Sequence, residues 1–95
     1  MHKKEIEQLI KDRNKTSHLL IITNENIKMY TQSINTWNNS KFTDAIKNDK
    51  LIKLNTSLHT HIAIQKELCA HLQEIESELD KLSSTWRNDY YDLIK

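Results

Sequence analysis

Stepped in sevens from Leu51, the chain places Leu51, Leu58, Gln65, Leu72, Leu79, Trp86 and Leu93 at one seam position of a heptad. Leu54, His61, Leu68, Ile75, Leu82 and Asp89 fall at the other. Ten of these thirteen positions are apolar, so the periodicity predicts a long helix packed along a coiled-coil-like seam over residues 50–94. The first third repeats the pattern with Ile6, Arg13, Leu20, Ile27 and Ile34 at one position and Leu9, Thr16, Thr23, Tyr30 and Trp37 at the other. Seven of those ten are apolar, which predicts a helix over about residues 3–37. Between them, WNNSKFTDAIKNDK (residues 37–50) loses the seam phase. Asn38 and Asn39 are suited to the left-handed region, and Ser40 or Thr43 can cap a following helix with its hydroxyl. The chain is expected to reverse within a bend over residues 38–50, with residues 40–48 forming either a separate short helix or the first turns of the long one.

The fold class that follows is all-α: one helical domain, a long antiparallel helical hairpin, assembling into a four-helix bundle dimer. Composition narrows it further. Among 95 residues there is no Gly and no Pro, which removes the residues that most readily end helices or build hairpin turns and phosphate-cradling loops. A chain of this length also buries a small share of its surface, so association adds to a limited core. Charge favours the antiparallel arrangement, because residues 1–66 carry a net +5 and residues 67–95 a net −4. Pairs of exposed charges contribute only about 0 to 1 kcal/mol each, so they select orientation more than they hold the fold. In the hairpin expected from this bend, residue i faces a partner numbered about 80 to 85 minus i, and the first helix runs out opposite about residue 80.

Three groups of residues carry the functional expectations. His61 and Gln65 occupy consecutive seam positions with Thr23 near their level, a polar layer that penalises slipped registers; a pH-sensitive role for His61 is the alternative. Leu19, Ile21, Ile22, Met29, Ile62 and Ile64 lie beside the seam, where a two-helix hairpin leaves them in water, and are expected to mediate self-association. Trp86, Tyr90, Tyr91, Leu93 and Ile94 extend past the first helix and are expected to anchor a protein partner, since Trp and Tyr bury large area with few rotatable bonds.

Enzymatic chemistry finds no support in the residue pattern. Cys69 and His71, two apart on a helix, diverge and cannot pair as nucleophile and base. The single cysteine excludes an intrachain disulfide, and His59 and His61 point to different sides of a helix, so neither metal nor cofactor is expected. The charged N-terminal stretch lacks the apolar core of a secretory signal, and the longest apolar run is Leu19 to Ile22, so a cytoplasmic chain with no membrane contact is expected. Lys41, Lys47, Lys50 and Lys53 form a basic bend beside Phe42, which raises an RNA-binding hairpin dimer as an alternative. Scarce Arg and the intervening Asp44 and Asp49 make a solvated bend the preferred reading and nucleic acid an unlikely partner.

The main expectation is therefore a non-enzymatic protein-binding module, such as a secretion chaperone, an adaptor or a phage-type inhibitor, that self-associates as a homodimer. A further alternative comes from layout: two long helices with Trp37-Asn38-Asn39-Ser40 at the turn resemble the WXG100 proteins, small helical-hairpin substrates of type VII secretion. That resemblance implies leaderless export. Asn39 stands at the place of the family's glycine, and the tail holds no Tyr-x-x-x-Asp.

Overall fold

The computed structural model describes residues 2–94. The chain forms α1 (Lys3–Asn38), α2 (Asp44–Leu82), the one-turn α3 (Trp86–Asp89) and a 3-10 turn (Tyr91–Leu93); there is no strand among the described residues. The two long helices pack against each other as an antiparallel hairpin, as the heptads require. All heptad seam positions from Ile6 to Trp37 and from Leu51 to Leu82 are buried or half-buried. The contacts divide into two compact units, residues 2–20 with 67–94 and residues 21–66, and each is described by itself.

Cross-helix pairs fix the register. Arg13 meets Glu76 in the first unit, while Asn24 meets Gln65 and Tyr30 meets His61 in the second. Residue i thus faces about residue 90 minus i, several positions later than the bend alone implied. The bend explains the offset. It is five residues, 39–43, in place of the expected 38–50. The first two turns of α2, residues 44–50, accordingly precede its pairing with α1 and are exposed apart from half-buried Lys47. Residues 44–48 are the opening turns of α2, so no separate helix forms at the bend.

The bend is built without the left-handed residue expected at Asn38 or Asn39: no described non-glycine residue has positive φ. Instead α1 closes on itself. The Asn39 amide donates to the Asn35 carbonyl at 3.2 Å and the Ser40 amide to the Trp37 carbonyl at 3.1 Å. The Ser40 hydroxyl donates to the same carbonyl at 2.8 Å, so this side chain finishes α1 and does not start α2. Lys47 Nζ donates to the Asn38 carbonyl at 3.2 Å, placing a cation at the negative end of the helix. At the start of α2 the Thr43 carbonyl accepts from the Lys47 amide, and Phe42 stacks on Trp37 with ring centroids 5.2 Å apart.

The largest departure lies in the tail. The heptad predicts one helix to residue 94, yet α2 ends at Leu82. Ser83, Ser84 and Thr85 interrupt it because their short polar side chains compete for backbone and local hydrogen bonds. Thr85 donates its hydroxyl to Asp89 Oδ2 at 2.6 Å, and its carbonyl accepts from the amides of Asn88 and Asp89. The turned segment carries Trp86 into a core with Ile6, Ile10, Ile75 and Leu79, against which Leu9, Leu82, Tyr90 and Ile94 pack. The register makes room for it: residues facing the start of α1 lie beyond the end of α2, so Ile6 and its neighbours need cover that α2 does not supply.

Candidate protein-binding surface

Within the unit formed by residues 2–20 and 67–94, the core is closed. Trp86, Ile10 and Leu79 are fully buried. The indole N–H of Trp86 donates to Asp80 Oδ1 at 2.7 Å, which satisfies the one polar group that its burial would otherwise strand. Both arginines of the chain lie over this ring, with guanidinium carbons 4.3 Å (Arg87) and 5.6 Å (Arg13) from its centroid. Both also reach Glu76: Arg87 Nη2 lies 2.9 Å from Oε2 and Arg13 Nε 3.4 Å from Oε1. Arg13, a polar intrusion in the heptad, is therefore explained by the aromatic ring and the carboxylate brought beside it. Farther along, Asn14 Nδ2 donates to the Leu93 carbonyl at 2.6 Å and ties the end of the tail to α1.

This arrangement corrects the expectation that Trp86, Tyr90, Tyr91, Leu93 and Ile94 lack an intrachain partner. Trp86 is core, and Tyr90 and Ile94 are half-buried against it. Tyr91 at 75% exposure and Leu93 at 41% keep accessible apolar surface. The signals for the turn were the Ser83-Ser84-Thr85 run and Ile10, an apolar residue beside the seam that needs a third element to cover it.

Residues 21–66 contrast with this closed core. No apolar side chain there is buried; Thr23 is the only buried residue. Ile21, Ile22, Met29 and Ile64 are all exposed, Ile21 at 55%, and Ile62 is half-buried, covered more than expected. Ile22 and Met29, seven residues apart, share one face of α1. Leu19, which falls in the other unit, is exposed as well. Phe42, Ile46 and Ile52 add exposed apolar surface at the bend and the start of α2.

At the expected polar layer Thr23 is buried and His61 and Gln65 are half-buried. Gln65 Nε2 donates to Asn24 Oδ1 at 2.7 Å, so the cross-helix partner is the neighbour of Thr23. His61 sets its ring 5.0 Å from that of Tyr30, tilted by 51°, and its Nδ1 lies 2.8 Å from the Ser57 carbonyl. That contact requires the Nδ1 proton, leaving Nε2 as the acceptor in the neutral ring. His59 is exposed.

The basic bend is partly engaged: Lys47 caps α1, and Lys53 pairs with Asp49 at 3.2 Å, leaving less free charge for phosphate. Cys69 is an exposed free thiol. No helix is long and apolar enough to cross a membrane among the described residues, and among them no group of three or more His, Cys, Asp and Glu could hold a metal ion. Comparison with protein-family models, with characterised proteins and with solved structures yields no match. The resemblance to WXG100 proteins thus rests on the hairpin layout and the position of Trp37 alone.

Proposed function

We propose that the chain is a non-enzymatic protein-binding module that self-associates through residues 21–66 and presents its remaining exposed apolar residues to a partner protein. The observation that carries this reading is the contrast within the hairpin. One unit closes over Trp86, whereas residues 21–66 bury no apolar side chain and expose Ile21, Ile22, Met29 and Ile64. Burial is the main favourable term in helix packing, at roughly 25 cal/mol per Å2 of apolar surface, and in residues 21–66 the apolar seam residues are only half-buried. Packing against the same region of a second copy supplies that burial in a four-helix arrangement. Tyr91 and Leu93, exposed on an otherwise anchored tail, are the assigned contacts for the partner protein. We assign the module to the cytoplasm, where reducing conditions keep the exposed Cys69 thiol free.

Light scattering on the full chain at tens of micromolar tests the association. A mass twice the 11.3 kDa of one chain, falling to a single chain on Ile21→Lys or Ile64→Lys, is the expected result. A monomer whose mass neither substitution alters rejects it.

A further inference from the structure

The tail carries two competing instructions. Locally, Leu79, Leu82, Trp86 and Leu93 keep one heptad phase, and the chain holds no Gly or Pro anywhere to stop a helix between them. Tertiary contacts instead fold the segment back, sealing Trp86 against Ile6, Ile10, Ile75 and Leu79. Only the three residues 83–85 separate α2 from α3. The hinge is held by small terms: the Thr85 to Asp89 bond at 2.6 Å and a 3.5 Å contact between the Ser83 and Thr85 hydroxyls. The contacts beyond the hinge are numerous and specific. They include the indole bond to Asp80, the Arg87 contacts with Glu76 and Asp80, and the Asn14 bond to the Leu93 carbonyl.

We propose that residues 83–94 exchange between two copies of this chain: the hinge becomes helical, and Trp86 of each copy enters the Ile6, Ile10, Ile75 and Leu79 socket of the other. Nearly every tail contact is the same in the closed monomer and the exchanged dimer, so the balance between them is set by the hinge and by concentration. The occupant of the socket is a second copy because the matching segment is the chain's own, with an indole donor for Asp80 and a guanidinium for Glu76. This exchange is separate from association through residues 21–66, which uses none of these groups.

The test uses the full chain carrying Ile21→Lys and Trp37→Phe, so that association through the other unit is removed and fluorescence reports Trp86 alone. Adding Ser84→Ala and Thr85→Ala raises helix propensity at both hinges of the dimer and is expected to tighten dimerisation roughly tenfold or more, read by sedimentation equilibrium. In the same background, chains with Ile10→Asp (broken socket) and with Trp86→Ala (broken tail) are refolded separately and together. The mixture is expected to form a heterodimer with the blue-shifted emission of a buried indole, one intact socket holding one intact tail. A hinge variant that stays monomeric, or a mixture whose emission is the sum of its parts, overturns the exchange. Either result leaves association through residues 21–66 untouched, because that is judged in the chain without Ile21→Lys.

Discussion

Replacing Trp86 tests the folded-back tail most sharply. The side chain is fully buried within the cluster of Ile6, Ile10, Ile75 and Leu79, and truncating a buried Trp to Ala typically costs about 3 to 5 kcal/mol through lost transfer and the cavity left behind. Small domains are stable by only about 5 to 15 kcal/mol, so Trp86→Ala should leave the unit of residues 2–20 and 67–94 close to unfolding. Two companion changes separate packing from hydrogen bonding. Trp86→Phe keeps most of the apolar volume and removes the 2.7 Å bond to Asp80; the Asp80 side chain is 56% exposed and regains water, so the loss should be about 1 kcal/mol beyond the small volume change. Asp80→Ala instead strands the buried indole N–H and should cost about 1 to 3 kcal/mol. Urea unfolding followed by circular dichroism measures all three, and in Trp37→Phe chains that keep Trp86 the emission reports that indole alone. Losses below about 0.5 kcal/mol for every variant, with red-shifted emission from Trp86 in the Trp37→Phe and Trp37→Phe/Asp80→Ala chains, would mean the indole sits in water, as it does if α2 runs straight on.

Glu76→Gln removes the charge shared by Arg13 and Arg87; a loss of about 1 kcal/mol is expected, with a smaller difference from the parent in 1 M salt, and a salt-independent loss would show that the charge is not the cause. Gln65→Leu replaces the polar residue bonded to Asn24 with an apolar seam residue. The urea midpoint should rise while sedimentation velocity resolves more than one assembly, and a single unchanged species would deny the layer its register role.

The heptads carried the long helices because burial is periodic along them. Leu20, Ile27, Leu58 and Leu68 lie half-buried in the seam, while Ile21, Met29 and Ile64 beside it are exposed. The bend was harder to read, since α2 begins two turns before it pairs with α1 and shifts the register in a way that residue identities do not encode. Gln65 therefore bonds Asn24. The tail was misread because its apolar phase fits a continuing helix. What overrides that phase is tertiary: the start of α1 extends past the end of α2, and an indole with an acceptor at Asp80 gains more from covering Ile6 and Ile10 than from a further helical turn in water. The proposed association surface rests on apolar residues placed outside the seam, a signal that says where cover is needed and not what provides it.

Hydrogen exchange of backbone amides as a function of chain concentration bears most directly on the claim that residues 21–66 need a second copy for their burial. Protection of those amides should rise steeply between about 1 and 100 micromolar, the range in which a weak to moderate helical dimer populates, while the amides around Ile10, Ile75 and Leu79 stay protected throughout. Protection of residues 21–66 that is strong at 1 micromolar and independent of concentration would contradict the account.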